Sequence, residues 1–335
     1  SARLEKSGRI TVEAPSNIAF IKYWGNLRDE LRIPANGSIS MNLGRLVTDT
    51  RVRFDSALDE DRVILNGTPL TGPGLDRVEH FLSLVRKRSG REEYAEVVSE
   101  NSFPTGAGIA SSASAFAALS LAASRAAGLK LSEQALSRLA RRGSGSASRS
   151  VPGGFVEWQV GTSDQDSFAF TIAEPDHWQL WDCVAVVSET HKSTGSTAGH
   201  ALAGTSPLQE ARVSDAARRL NICRQAIQER DFEALAAVVE QDNHLMHAVM
   251  MTSQPPLIYW RPGTVEVMLA VRRWRKAGIP AFYTMDAGPN VHVLCAAAER
   301  DAVRQNLLDL PGVNKVLESP PGGGAYLLDP EGDGV

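Results

Sequence analysis

Apolar and polar residues alternate along the first third of the chain, and this period of two predicts β-strands. The alternation is clear at residues 10–14 and again at residues 52–54. The apolar residues 63–65 run directly into Asn66-Gly67, which predicts a β-hairpin. The beginning of the chain is therefore expected to form a sheet.

Helical spacing appears further along. Val78, Phe81, Leu82 and Val85 recur at helical intervals and predict a helix over residues 75–88. Further helices are predicted over residues 111–127, 131–141, 206–229, 231–250, 263–277 and 298–310. Further strands are predicted at residues 94–98, 153–160, 167–172 and 183–187, with a hairpin in which residues 281–285 and 291–295 flank residues 286–290.

This order of elements predicts a mixed α/β (α+β) fold with two lobes. The chain has 335 residues, which is long for one hydrophobic core. We place the division after residue 182. Residues 1–182 would form an N-terminal lobe with a phosphate-binding loop, and residues 183–335 would form a helix-rich C-terminal lobe that carries the 281–295 hairpin.

Composition narrows the functional classes. The formal net charge is -4, and the pI of about 6.0 argues against general nucleic-acid binding. The three cysteines have no metal-ligand spacing, and their odd number argues against a disulfide framework. No apolar run approaches the ~20 residues that span a bilayer, and residues 1–6 lack the apolar core of a signal peptide. We therefore expect a cytoplasmic protein without a membrane partner.

A glycine-rich segment leads into the helix predicted at residue 111. It has the sequence P-T-G-A-G-I-A-S-S, in which glycines let backbone N–H groups approach an anion and the helix N-terminus attracts phosphate. A plain strand-to-helix turn capped by serine explains the same pattern. The candidate nucleotide-binding residues are Pro104, Gly106, Ala107, Gly108, Ser111 and Ser112.

Four other segments occur with this loop. They are APSNIAFIKYWG at residues 14–25, GSGSASRS at 143–150 with GGFVEW at 153–158, KSTGST at 192–197, and DAGPN at 286–290. Together they closely resemble the mevalonate diphosphate decarboxylase family, in the order in which that family has them. The resemblance implies the two-lobed kinase-like fold of the galactokinase–mevalonate kinase group, ATP with Mg2+, a phosphorylated mevalonate as the small-molecule partner, and a homodimer. The metal ligands are unknown at this stage.

The chemistry explains why such a site needs these residue types. A 3-hydroxy acid has no carbonyl placed to receive the electrons left by departing CO2, and its tertiary hydroxyl is a poor leaving group. Phosphorylation of that hydroxyl allows CO2 and phosphate to leave together and form an alkene. The site must therefore cradle a γ-phosphate, bind a carboxylate, act on the C3 hydroxyl and anchor the 5-phosphate.

The resemblance assigns roles to single residues. Asp286 falls on the family's catalytic aspartate, which orients or deprotonates the C3 hydroxyl; alone, it would suit an ordinary turn. Arg149 falls on the substrate-binding arginine, whose guanidinium can grip a carboxylate with two hydrogen bonds; alone, it would suit a structural ion pair. Ser196 matches a serine that contacts the transferred phosphoryl group, although a surface loop of this composition is also common.

Other segments imply further substrate contacts. Each of these residues also has an ordinary structural use, as a polar turn, a buried amide or a core aromatic. The predicted substrate-binding residues besides Arg149 are Asn17, Tyr23, Trp24, Asn26, Ser144, Ser146, Lys192 and Thr197.

One departure from the family pattern affects the substrate. The family typically has a lysine directly after Tyr-Trp-Gly, and here that position is Asn26. A lost charged contact changes binding by ~1.5–3 kcal/mol, and a diphosphate needs that charge more than a monophosphate does. The sequence therefore favours mevalonate 5-phosphate as substrate, with isopentenyl phosphate as product. The alternative is the 5-diphosphate, with Arg28 or Lys192 supplying the charge.

Two further functions compete with decarboxylation. A kinase that phosphorylates the 3-hydroxyl without releasing CO2 would share most of the segments, although Asp286 and Arg149 together argue against it. A non-catalytic protein could retain the same fold. The presence of Asp286, Arg149 and Ser196 argues against this second possibility.

Overall fold

The computed structural model describes residues 10–103, 111–190 and 195–328. Its strands are β1 (Ile10–Ile21), β2 (Asn26–Arg28), β3 (Ile33–Pro34), β4 (Ser38–Asp55), β5 (Arg62–Leu65), β6 (Thr68–Pro69), β7 (Tyr94–Asn101), β8 (Phe155–Trp158), β9 (Ala169–Ala173), β10 (Leu180–Val186), β11 (Ala281–Thr284), β12 (Val291–Ala296), β13 (Lys315–Ser319) and β14 (Tyr326–Leu327). Its helices are α1 (Pro73–Ser89), α2 (Ser111–Ala126), α3 (Glu133–Gly143), α4 (Ser196–Leu202), α5 (Gln209–Ser214), α6 (Ala216–Glu229), α7 (Phe232–Thr252), α8 (Pro262–Lys276) and α9 (Arg300–Leu308).

The alternating residues of the first third form the larger sheet. Its order is β14-β1-β4-β7-β5-β6, and β8 and β9 extend it beside the first residues of β4. β1 and β4 pair antiparallel, with Val12 opposite Thr50, and a bulge falls between Pro15 and Ser16. The predicted hairpin is confirmed, because β5 and β6 pair across Asn66-Gly67.

Three helices cover the apolar face of this sheet. The apolar stripe predicted for α1 is confirmed, since all four of its residues are buried. α2 is rich in Ala and Ser, and eleven of its residues are buried. Small side chains let this helix lie close to β1 and β4, so its first turn comes near the end of β1.

The second sheet has the order β11-β12-β10-β13 and is antiparallel throughout. The hairpin predicted over residues 281–295 is confirmed as β11 and β12, with residues 286–290 in the turn. Apolar residues of α8 and α9 pack against this sheet, while α7 carries residues packed against both sheets. The turn of the hairpin is thereby held close to the end of β1.

Two details differ from the predicted elements. The helix predicted over residues 206–229 is divided into α5 and α6 at Asp215, whose carboxylate pairs with Arg218 and Arg219 in the first turn of α6. A negative charge there stabilises the start of the new helix. The strands β2, β3, β13 and β14 and the helix α4 were not predicted, because most span too few residues to show a period.

The C-terminal segment returns to the first sheet. Gly44 donates a backbone hydrogen bond to Pro320 at 3.0 Å, and Gly322 donates to Asn42 at 2.9 Å. β14 then pairs with β1. The division after residue 182 remains a proposal. Residues 320–327 come after that point in the chain but extend the first sheet.

Across residues 10–103, 111–190 and 195–328, no helix is both long and apolar enough to cross a membrane.

Candidate active site

A pocket of about 270 Å³ brings together residues from distant parts of the chain. They come from the end of β1, the β2–β3 turn, the first turns of α1, α2 and α4, the end of α3, α7 and the β11–β12 turn. Its charged lining residues are Lys22, Arg32, Arg77, Arg149 and Asp286. Its hydroxyl-bearing lining residues are Tyr23, Ser111, Ser112, Ser144, Ser146, Ser196 and Thr197.

Lys22 and Asp286 form an ion pair in this pocket. Lys22 Nζ lies 2.8 Å from Asp286 Oδ1, and their side chains are 1% and 26% exposed. Burial lowers the pKa of Lys22, although Asp286 opposes that shift. Burial alone would raise the pKa of Asp286, but the charges of Lys22, His292 and Arg149 outweigh it and lower that pKa. Asp286 is therefore a carboxylate at neutral pH, with one edge open to the pocket.

Neighbouring residues of α7 position both members of the pair. Asp242 Oδ2 accepts a hydrogen bond from the backbone N–H of Lys22 at 2.7 Å. Asn243 Oδ1 accepts one from Met285, the residue before Asp286, at 2.8 Å. The end of β1 and the β11–β12 turn are thus fixed to the same turn of one helix.

Arg149 lies beside this pair and is 2% exposed. Its Nη1 donates to Ser38 Oγ at 2.6 Å, and its Nη2 donates to Asn17 Oδ1 at 3.2 Å. Burial lowers its pKa to about 10, and the nearby Asp286 opposes the shift. Its buried Nε has no hydrogen-bond partner in the described part of the chain. A buried, unpaired donor suits a carboxylate that arrives with the substrate.

A second pair of cations lies at the end of α3. Arg77 Nε donates to the carbonyl of Gly143 at 2.7 Å, and Arg32 Nε donates to the carbonyl of Arg142 at 3.2 Å. Burial and the charge of Arg32 together lower the pKa of Arg77 to about 10. We call this pair the Arg77 end of the pocket, and Lys22, Arg149 and Asp286 the Asp286 end.

Tyr23 lies between the two ends. Burial raises its pKa to about 12, and the charges of Arg32 and Arg149 both oppose that shift. Its ring stacks on His200, with centroids 4.1 Å apart. A Cβ atom on Gly145 would lie 2.4 Å from the Tyr23 ring, so the close approach requires glycine there.

Hydroxyl groups connect α2 to the end of α3. Ser112 Oγ lies 3.1 Å from Ser144 Oγ, which in turn lies 3.3 Å from Ser146 Oγ. Ser196 opens α4 on the other side of the pocket. This arrangement offers several donors to phosphoryl oxygens.

The structure gathers most of the predicted site residues that it describes. Asn17 and Asn26 lie outside the pocket lining. Asn17 bonds Arg149 and Ser150, and Asn26 accepts a hydrogen bond from Tyr23 at 2.5 Å. The predicted residues Pro104, Gly106, Ala107, Gly108 and Lys192 lie outside the described residues. The lining contains Tyr23, Trp24, Ser111, Ser112, Ser144, Ser146, Arg149, Ser196, Thr197 and Asp286.

Four lining residues with ionisable side chains were not predicted: Lys22, Arg32, Arg77 and His200. Lys22 lies within the 14–25 segment, where a lysine between apolar residues 18–21 and the aromatic residues 23–24 was a usable signal of a buried cation. Arg32 and Arg77 had no such signal. Only the fold brings them to the end of α3.

Two family models match the chain. Residues 14–169 match the diphosphomevalonate decarboxylase-like N-terminal domain, and residues 183–318 match the mevalonate 5-diphosphate decarboxylase C-terminal domain. The diphosphomevalonate decarboxylase of Candida albicans is 36% identical over 310 residues, which cover 88% of this chain and 86% of that protein.

Solved structures that resemble this chain come from the same family. The mevalonate diphosphate decarboxylase from Staphylococcus aureus has a TM-score of 0.92 and 38% identity, covering 97% of this chain and 99% of that one. A structure described as MDDEF in complex with MVAPP, AMPPCP and magnesium has a TM-score of 0.91 and 38% identity, covering 96% of this chain and 99% of that one.

These likenesses confirm the predicted fold class, that of the galactokinase–mevalonate kinase group, and the predicted enzyme class, an ATP-dependent carboxy-lyase. Within that class, the chain belongs to the diphosphomevalonate decarboxylase family.

Proposed function

We propose that this chain converts mevalonate 5-diphosphate and ATP into isopentenyl diphosphate, ADP, phosphate and CO2. The observation that carries the proposal is the positive charge of the pocket. Lys22, Arg149 and the two arginines of the Arg77 end outnumber the carboxylate of Asp286 in its lining. This surplus suits a ligand with a carboxylate at one end and a diphosphate at the other. The family and the MVAPP-bound relative support the same substrate.

The monophosphate favoured by the Asn26 argument is the less well supported substrate. That argument counted charge at one position of the chain. Arg32 and Arg77 supply two cations that it did not include. Arg28, one of the suggested substitutes, is exposed and does not line the pocket.

ATP with Mg2+ fits the described residues. α2 begins at the pocket with Ser111 and Ser112, and a helix N-terminus attracts phosphate. Among the residues that the structure describes, no group of three His, Cys, Asp or Glu could hold a metal. This suits Mg2+, which is often bound through phosphate oxygens and water. When bound, ATP supplies the phosphoryl group and Mg2+ neutralises its charge, as AMPPCP (an ATP analogue) and magnesium in the MDDEF complex suggest.

Asp286 prepares the C3 hydroxyl for phosphorylation. As a carboxylate, it accepts a hydrogen bond from that hydroxyl and takes its proton as the bond from oxygen to phosphorus forms. Lys22 holds Asp286 in place. Ser196 and the serines near α2 orient the phosphoryl oxygens, because positioning and charge stabilisation supply most of the catalysis in phosphoryl transfer.

Arg149 holds the carboxylate for the second step. The bond between C2 and the carboxylate carbon breaks, its electrons form the double bond between C2 and C3, and phosphate leaves C3. The residues around Arg149 keep its guanidinium fixed while CO2 departs.

The decisive experiment compares mevalonate 5-phosphate and mevalonate 5-diphosphate side by side. ADP and CO2 are followed separately with ATP and Mg2+. A higher kcat/KM for the diphosphate supports the proposal, and a higher value for the monophosphate contradicts it. ADP without CO2 would make the protein a 3-kinase and would refute the role of Arg149.

We also propose that the protein is a cytoplasmic homodimer. The cytoplasmic location is supported by three buried cysteines that form no disulfide: Cys183, Cys223 and Cys295. The dimer follows only from the family resemblance. Sedimentation equilibrium tests it, and a monomeric mass would contradict it.

A further inference from the structure

The β2–β3 hairpin delivers Arg32 to the pocket in an unusual backbone conformation. Residues 29–32 form its turn, which is closed by a hydrogen bond from the Arg32 N–H to the Asp29 carbonyl at 3.1 Å. Arg32 has φ 50. This left-handed region favours glycine or asparagine, and other residues there often belong to functional sites. A long charged side chain therefore occupies a position where the backbone alone would favour a small one.

The guanidinium of Arg32 is fixed at one edge and open at the other. Its Nε bonds the Arg142 carbonyl, as Arg77 Nε bonds the next carbonyl, that of Gly143. These carbonyls lie at the negative end of the α3 dipole, which favours cations. In the described part of the chain, the terminal nitrogens of both arginines make no hydrogen bond or ion pair. Two adjacent cations with open donors form a preorganised site for a multiply charged anion.

The other polar residues of the hairpin do not provide this charge. Asn26 accepts from Tyr23 and donates to Asp29 at 2.9 Å, so it ties Tyr23 to the turn. Asp29, whose carboxylate accepts that hydrogen bond, is exposed and outside the pocket lining. Arg28 is exposed as well. Arg32 is the cation that the hairpin directs into the pocket.

We propose that Arg32 is the residue that selects a diphosphate over a monophosphate. The inference rests on the proposed function and deepens it. The substrate carboxylate and C3 hydroxyl occupy the Asp286 end, so the far end of the substrate lies near Tyr23 and Arg77. Arg32 then binds the terminal phosphate with its two open nitrogens, and Arg77 binds beside it. A monophosphate is one phosphate shorter and leaves Arg32 without a ligand.

The test uses Arg32→Asn, because asparagine tolerates the left-handed backbone, together with Arg32→Lys. Arg28→Asn on the same hairpin is the matched control. We expect Arg32→Asn to lower kcat/KM for mevalonate 5-diphosphate roughly tenfold or more, mainly through KM. The value for mevalonate 5-phosphate should change little. Arg32→Lys should recover part of the loss, and Arg28→Asn should match the parent protein.

The outcomes separate this inference from the proposed function. The parent protein's preference between the two substrates tests the proposed function. If Arg32→Asn lowers kcat/KM for both substrates by the same factor, the inference is wrong whatever that preference is. Calorimetric binding of mevalonate 5-diphosphate without nucleotide gives a second readout. A weaker Kd in Arg32→Asn that is restored by adding Asn26→Lys supports the inference, and an unchanged Kd overturns it.

Discussion

The two ends of the pocket hold their cations in different ways. At the Asp286 end, Lys22 and Arg149 are almost fully buried and bond side chains: Asp286, Ser38 and Asn17. At the Arg77 end, the cations bond the backbone carbonyls of Arg142 and Gly143, each through one nitrogen.

A second layer of buried charge supports the Asp286 end. Asp242, which holds the backbone of Lys22, also accepts a hydrogen bond from Arg219 Nε at 2.7 Å, and both side chains are fully buried. Removing one partner of such a buried pair is strongly destabilising. Substitutions that disturb this network are therefore expected to destabilise the Asp286 end. At the Arg77 end, the two arginines bond backbone carbonyls. On the proposed function, we expect substitutions there to change substrate selectivity more than the chemistry.

The largest effect is expected for Asp286→Asn. An amide keeps the shape but cannot accept the proton of the C3 hydroxyl, so kcat should fall by about 10³-fold, within the range for lost acid–base groups. Nucleotide binding should be retained. Steady-state turnover and calorimetric ATP binding measure the two quantities.

The control for this variant is Asp301→Asn, since the Asp301 side chain is 83% exposed. It should keep the parent kcat. Normal turnover in Asp286→Asn would mean that Asp286 does not take the proton of the C3 hydroxyl, and the proposed chemical difference between the two ends would be wrong.

Lys22→Met should lower kcat by about 10²-fold, as expected for loss of one preorganised charge. It should also move the acid limb of the kcat–pH profile. In the parent protein the pKa of Asp286 is below its usual value of about 4. Asp286 therefore stays ionised as the solution is acidified to that usual value. Without Lys22, burial raises that pKa, and activity is lost at a higher pH as the solution is acidified.

The exposed Lys276→Met variant is the control for this profile. It should leave the acid limb in place. An acid limb that does not move in Lys22→Met would mean that Lys22 does not set the ionisation of Asp286.

A smaller effect distinguishes the ends directly. Arg149→Lys removes the planar fork from the carboxylate and should lower kcat, whereas Arg77→Lys should raise KM about tenfold with kcat nearly unchanged. Both substitutions keep the charge, so each is the control for the other. If the two variants changed kcat and KM in the same proportion, the functional division of the pocket would be wrong.

Much of the Asp286 end could be predicted from the sequence. Asp286 and Arg149 lie in local segments with characteristic order, and the structure places both of them in one pocket. Periodicity also predicted the long elements, including the 281–295 hairpin that presents Asp286.

The Arg77 end could not be predicted in this way. Arg77 lies in the first turns of an ordinary amphipathic helix, and Arg32 lies between two very short strands. Neither local pattern shows that the side chain turns towards the end of α3. The substrate argument from Asn26 was incomplete for the same reason, because a charge can be supplied by residues that are neighbours only in the folded chain.

The return of residues 320–327 to the first sheet has a consequence for biosynthesis. Among the described residues, seven of the eight strands of that sheet come from residues 10–173, whereas the remaining strand, β14, is Tyr326–Leu327. A ribosome therefore synthesises residues 174–325 before β14 can pair with the outer edge of β1. Until then the nascent sheet presents an open edge that could pair with another chain. β14 covers part of this edge, so the first sheet is completed only after residues 326–327 have been translated.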